Sequence, residues 1–178
     1  MGVMNKFLWL LIGIFTLPLG MLRAEPLEPG KDAPKLTVMT HEGKQLDLAE
    51  IYEQGPTLVY FYPKADTPGC TAQACNIRDH FESVKEAGIT VIGVSADGIV
   101  NQKAFAEKYE LPFTLVPDPN KRLGKAFGVD DIMGKVFKRQ TFLVVDGKIV
   151  WRDLSAEPKS QAQDAIAALQ DYQHSHQG

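Results

Sequence analysis

Two kinds of apolar pattern divide the chain. Short continuous runs, rich in β-branched and aromatic residues, occur at 57–62 (TLVYFY) and 89–94 (ITVIGV), each preceded by Gly or Pro. Such runs suit strands buried on both faces of a sheet. Between and after them lie stretches with apolar residues at helical spacing. Residues 68–87 are the clearest: Thr67 is a candidate N-cap, Pro68 sits at the first helical position, Ala74, Ile77, Phe81 and Val84 form the apolar set, and Gly88 follows. Residues 100–109 predict a second helix, with Phe105 and Tyr109 four apart. Shorter signals predict strands at 35–40, 44–48 and 113–116 and a helix at 121–127. Residues 141–145 and 148–152 flank Asp146-Gly147, a strong hairpin signal. Residues 160–172 read as an amphipathic C-terminal helix, with fraying expected from 173 to 178.

The resulting order is β-β-β-α-β-α-β-α-β-β-α. Helices alternating with apolar strands predict one α/β sheet covered on both faces, and the terminal hairpin makes it mixed. A thioredoxin-like three-layer domain over residues 35–178 is compatible with this order, which by itself does not select it. Residues 25–34 carry three prolines and a glycine and read as a linker.

The start of the chain has a different pattern. Lys6 precedes residues 7–22, sixteen positions without a charge, and Arg23-Ala24-Glu25-Pro26 follows. A positive start with an apolar stretch of this length reads as a secretory signal. A full bilayer span needs about 20 residues, so an uncleaved membrane anchor is the alternative. Residues 1–24 are therefore expected to send the protein out of the cytoplasm, to a periplasm-like space, or to hold it at the inner membrane. Cleavage after Ala24 would remove Lys6 and Arg23 and take the net charge from −3 to −5.

Charge and composition narrow the classes. Apolar residues make up 44% and charged residues 23%, which excludes wholesale disorder. An acidic chain lacks the positive field that nucleic acid requires. Two cysteines are too few for a disulfide scaffold or a four-cysteine zinc site. No glycine-rich phosphate loop, His-Glu-x-x-His or Cys-x-x-Cys occurs, and no cofactor is expected.

Both cysteines fall in one stretch. Cys70 lies in the first turn of the 68–87 helix, directly after the 57–62 strand. Unpaired N–H groups and the positive end of the helix dipole favour a thiolate there. That thiolate would sit at the C-terminal edge of a sheet, where α/β sites usually form. Cys75 is five residues on. In a regular helix that puts the two Cα atoms about 8.7 Å apart, beyond the roughly 7 Å that a disulfide tolerates. A Cys70–Cys75 bond therefore needs partial unwinding, which suits a catalytic cycle better than a static staple. A copper or zinc site formed by Cys70, Cys75 and His80 is the competing reading, as in an exported copper-delivery protein.

The segment Pro63-x-x-x-Thr67-x-x-Cys70 resembles the PxxxTxxC active-site motif of peroxiredoxins. A second cysteine five positions later is the pattern of the bacterioferritin-comigratory-protein, or PrxQ, subfamily of atypical 2-Cys enzymes. The resemblance covers about residues 29–155 and extends to Ser95-x-Asp97, to Phe105 through Phe113, and to Arg139-Gln140-Thr141-Phe142. It implies a thiol-dependent peroxidase acting on hydrogen peroxide and alkyl hydroperoxides. Cys70 would be the attacking thiolate and Cys75 the resolving thiol. Arg139 would stabilise the thiolate and polarise the peroxide. Thr67 would help align the peroxide oxygens, and Pro63 would shield the thiolate. A thioredoxin-like dithiol would restore the thiols, and a monomer would suffice. Where the family often has His after Ser95-x-Asp97 this chain has Gln102, and residues 130–138 are also less typical.

Overall fold

The computed structural model describes residues 25–176. The apolar run 7–22, and with it the export reading, lies outside the described residues. Among those residues no helix is long and apolar enough to cross a membrane.

A five-stranded sheet organises the domain. β3 (Thr57–Phe61) is its centre, parallel to β4 (Thr90–Ser95), which is parallel to β5 (Thr114–Pro117). On its other side β3 pairs antiparallel with β8 (Gln140–Val145), which pairs antiparallel with β9 (Lys148–Asp153). Two short strands before it, β1 (Thr37–Met39) and β2 (Gln45–Asp47), form a separate antiparallel pair. Every residue of β3 is buried, as a continuous apolar run predicts.

Alternation along β3 sends side chains to two cores. Leu58, Tyr60 and the following Tyr62 pack with Cys70, Ala74, Ile77, Phe105 and Leu169. These come from α2 (Pro68–Asp79), α4 (Ile99–Lys108) and α6 (Gln161–Ser175), and α3 (Phe81–Glu86) adds Val84. Val59 and Phe61 face the opposite core, with Leu48 and Tyr52 of α1 (Leu48–Gln54) and Leu123 of α5 (Arg122–Ala126). The three-layer mixed architecture is the one expected.

Several boundaries differ from the sequence reading. The expected strand at 44–48 ends at Asp47, whose carboxylate accepts the Ala49 N–H (2.8 Å) and starts α1, a helix the apolar pattern did not signal. The expected helix 68–87 is two helices, broken at His80, whose φ of −109° and ψ of 17° leave the helical region. Continuous apolar spacing hides that break, because the helices on either side pack into one core. A small antiparallel pair, β6 (Asp131–Ile132) and β7 (Val136–Phe137), forms in the segment 130–138. The stretch 25–34 is not a free tether: Leu27 N–H bonds the Phe127 carbonyl (3.0 Å), Gly30 the Ile149 carbonyl (2.7 Å), and Ala33 the Gly147 carbonyl (2.8 Å). At the other end, α6 continues to Ser175, past the expected fraying at 173.

The Asp146-Gly147 turn forms as expected, with φ of 50° and 72° at its two central residues.

Candidate active site

Sheet register decides where the chemistry gathers. β3 leads directly into the loop 62–67 and then α2, so Cys70 emerges at the C-terminal edge of the parallel strands. β8 runs antiparallel to β3, and its first residue, Gln140, pairs with Phe61, the last of β3. Arg139 therefore enters at the same edge. Its Nη2 lies 3.5 Å from Cys70 Sγ, across 69 residues of sequence. Cys70 is 2% exposed. A buried thiolate needs a compensating charge, and a guanidinium donor supplies both the charge and a hydrogen bond.

Arg139 is itself held. Its Nη1 donates to Gln73 Oε1. Gln73 Nε2 donates to Gln161 Oε1 (2.5 Å), which also accepts from Thr141 Oγ1 (2.7 Å). Gln73, Thr141 and Gln161 are fully buried. This amide relay fixes which end of Gln73 faces the arginine: its nitrogen is committed to Gln161, so its oxygen must receive Arg139. Sequence reasoning gave Gln73 and Gln161 no role. Gln73 sits three residues after Cys70, on the same helical face, and that spacing was the available signal. Gln161 had none, since only the tertiary fold brings it near.

The loop before α2 is pinned at successive residues. Tyr62 N–H bonds the Val94 carbonyl (3.0 Å), and Ala65 N–H bonds Asp97 Oδ2 (2.8 Å). Asp66 adopts the left-handed conformation (φ 58°), and both its carboxylate oxygens lie 2.8 Å from Lys108 Nζ, while Tyr109 O–H donates to it at 2.6 Å. Lys108 above all, then Tyr109, holds the Asp66 carboxyl below its ordinary value. Pro63 is half-buried between these anchors.

Thr67 occupies the N-cap position expected of it, with extended φ and ψ, but its side chain does not cap the helix. The hydroxyl donates instead to the Lys64 carbonyl (2.9 Å). Its oxygen keeps acceptor capacity of its own. Thr71 N–H takes the Thr67 carbonyl (2.8 Å). Pro68 has no N–H, and by helix geometry the Gly69 and Cys70 N–H groups lack an intrahelical partner. They are donors in the same first turn as Cys70.

Tyr60 and Tyr62 share the Cys70 core. Burial pushes both phenols well above their ordinary range, so both stay neutral beside Cys70. Cys75 is half-buried, both thiols are unlinked, and α2 runs unbroken through both residues.

His80 does not join the cysteines in a ligand set. Its Nδ1 is 2.9 Å from the Asn76 carbonyl and its Nε2 is 2.9 Å from Gln163 Nε2, so both ring nitrogens are engaged. Among the described residues no group of three or more His, Cys, Asp or Glu side chains is placed to hold a metal. The copper-delivery reading gains no support.

Comparison with known proteins gives a consistent picture. A family model described as AhpC/TSA family matches residues 29–152. Peroxiredoxin Bcp of Escherichia coli (strain K12) is 44% identical over 131 residues, covering 70% of this chain and 83% of that protein. The chloroplastic Peroxiredoxin Q of Populus jackii is 44% identical over 116 residues, 65% of this chain and 54% of that one. The chain spans between half and two thirds of the length of such chloroplastic relatives. The crystal structure of Peroxidoxin BcpB from Mycobacterium tuberculosis superposes with a TM-score of 0.76 at 29% identity, covering 82% of this chain and 97% of that one.

Proposed function

The chain belongs to the AhpC/TSA family, in its peroxiredoxin Q/Bcp branch and with its thioredoxin-like fold, and from that premise we propose that it is a thiol peroxidase reducing hydrogen peroxide and organic hydroperoxides. The observation that carries this reading is Arg139 Nη2 at 3.5 Å from a buried Cys70 Sγ in the first turn of α2. A cysteine kept only for packing gains nothing from a guanidinium donor at its sulfur.

In the proposed cycle the Cys70 thiolate attacks the distal oxygen of the peroxide. An S–O bond forms, the O–O bond breaks, and the departing alkoxide or hydroxide takes a proton to leave as alcohol or water. Arg139 and the Gly69 and Cys70 N–H groups stabilise the negative charge as it moves to the leaving oxygen. The Thr67 oxygen accepts from the peroxide O–H and aligns it. Pro63 limits the approach of water. Cys70 is left as a sulfenic acid. Cys75 then attacks the Cys70 sulfur, the S–O bond breaks, water leaves, and a disulfide forms. α2 must unwind for that step, since five helical residues separate the two Cα atoms by about 8.7 Å. A thioredoxin-like dithiol returns both thiols by exchange.

Both redox cysteines lie in one chain, which supports turnover as a monomer. The reading of residues 1–24 as an export signal or anchor extends the proposal: peroxide reduction outside the cytoplasm, fed by a dithiol available there.

The test is intact mass with thiol labelling, seconds after one equivalent of hydrogen peroxide meets the reduced chain. Loss of both thiols with a loss of about 2 Da is expected. Cys75→Ser should stop at the sulfenic acid, gaining about 16 Da, and Cys70→Ser should not react. Two unreacted thiols in the natural protein would overturn the proposal.

A further inference from the structure

Gln102 lies on α4, outside the motif that carries Cys70, and is fully buried. Its amide ties two elements together. Oε1 accepts from the Tyr62 hydroxyl at the end of β3. Nε2 donates to Ser95 Oγ (2.8 Å) and more weakly toward the Val116 carbonyl (3.4 Å). Ser95 Oγ donates in turn to Asp97 Oδ2 (2.7 Å), and that same oxygen accepts the Ala65 N–H (2.8 Å).

These bonds can run in one direction only. The Asp97 carboxylate accepts and cannot donate. Ser95 must therefore spend its proton on Asp97 and accept from position 102. The buried Tyr62 phenol keeps its proton and needs an acceptor there. Position 102 must thus donate at one end and accept at the other. A primary amide does both, and its two ends cannot be exchanged without breaking the chain.

Both ends of this chain of bonds land on the loop before α2. Tyr62 precedes Pro63, and Ala65 follows it by two residues. Pro63 and Lys64 form a two-residue arch between fixed points, and the Lys64 carbonyl receives the Thr67 hydroxyl. We propose that Gln102 is a positioning residue for the Cys70 site, setting Pro63 and Thr67 relative to the sulfur through a proton-ordered brace. Tyr62 and Asp97 are the titratable groups of that brace. The inference rests on the peroxidase reading for its kinetic consequence, and on geometry alone for the ordering of the loop.

The test uses the full chain with Gln102→Leu, Gln102→His, Tyr62→Phe and the Tyr62→Phe/Gln102→Leu pair. Two quantities are read: the second-order rate of Cys70 oxidation by hydrogen peroxide, and the pH profile of Cys70 alkylation in a Cys75→Ser background. Gln102→Leu should slow oxidation about tenfold, the worth of one buried hydrogen bond, and shift the alkylation midpoint. A neutral imidazole can accept at one nitrogen and donate from the other, so Gln102→His should return to within about threefold of the natural rate at pH 8. That recovery should fade as pH drops through the imidazole range near 6.5, a step absent with Gln102. Tyr62→Phe should cost less than Gln102→Leu and add nothing to it. An unchanged rate and midpoint in Gln102→Leu, additive losses in the pair, or a Gln102→His variant without a pH step would overturn the proposal. If Gln102→Leu does not fold, Gln102→His and Tyr62→Phe decide it. If the natural chain itself does not react with peroxide, the peroxidase reading fails, and the alkylation midpoints, which need no peroxide, still decide the brace.

Discussion

Asn76 accepts, at its Oδ1, the backbone N–H of Ala162 in the first turn of α6 (3.0 Å). Its Nδ2 donates to the Lys159 carbonyl (2.8 Å) and to Gln163 Oε1 (3.3 Å). The residue immediately after Cys75 thus caps the C-terminal helix from another element, while Ser160 at the N-cap position makes no cap bond of its own.

The cap gives a stability prediction. Asn76→Ala should cost about 1 kcal/mol, the usual worth of an N-cap side chain. For a domain of this size that lowers the melting temperature by about 2–4 °C. Cys70 oxidation should stay near its natural rate, because Asn76 bonds neither Arg139 nor Gln73. Thermal unfolding and peroxide kinetics on the same sample check both halves.

Arg139 carries the largest expected kinetic effect. Removing a preorganised donor that faces developing charge typically costs about 10²–10³ in rate, so Arg139→Ala should slow Cys70 oxidation by that order. Arg139→Lys should recover little, since an ammonium cannot serve Cys70 and Gln73 with two separate nitrogens of one rigid fork. Stopped-flow oxidation of the reduced chain separates the two variants. Equal rates for Arg139→Lys and the natural protein would remove the fork from the account.

How much of this was readable beforehand follows from where each signal resides. β3 and β4 stood out because burial on both faces leaves an unbroken apolar run. The Asp146-Gly147 turn stood out because two adjacent residues with positive φ need those side chains. Cys70, Thr67 and Pro63 lie within eight residues, so a local motif could reveal them. α1 did not stand out: its seven residues, LAEIYEQ, bury only Leu48 and Tyr52, too few for a period. The break at His80 was hidden because apolar spacing continues through it. Gln73, Gln102 and Gln161 are amides whose partners are up to 88 residues away, and no linear pattern encodes such a meeting.

The Asp66 clamp predicts a pH dependence. Lys108 and then Tyr109 hold the folded-state pKa of Asp66 below the ordinary carboxylate value. A carboxyl whose pKa is lowered by folding contributes stability above its unfolded value, and loses it as pH falls through the folded one. The natural chain should therefore lose this contribution on acidification below about pH 4. Asp66→Asn isolates the charge, because Asn tolerates the left-handed backbone that Asp66 adopts. The gap in melting temperature between the two proteins should be present at pH 6 and close below pH 4. A gap that does not change with pH would mean the carboxylate charge contributes nothing.

Gly69 offers the sharpest separation of stability from activity. A Cβ at this position would stand 3.1 Å from Arg139 Nη2, so the guanidinium would have to retreat by a few tenths of an ångström. An exposed arginine would do so freely. Arg139 is held at Nη1 by Gln73, so a retreat of Nη2 from position 69 is expected to lengthen its contact with Cys70 Sγ. The backbone at Gly69 is not in the left-handed region, so alanine fits the helix and reduces the entropy of the unfolded chain, a gain of about 0.4–1 kcal/mol where the conformation is compatible. Gly69→Ala should therefore hold or raise the melting temperature while slowing Cys70 oxidation several-fold, about 1 kcal/mol of lost stabilisation. Pairing it with Gln73→Ala tests the cause. Once Gln73 no longer holds the arginine, Arg139 can turn aside without leaving the sulfur, and Gly69→Ala should cost less there than in the natural background. An equal cost in both backgrounds would place the effect in the helix rather than in the contact with Arg139.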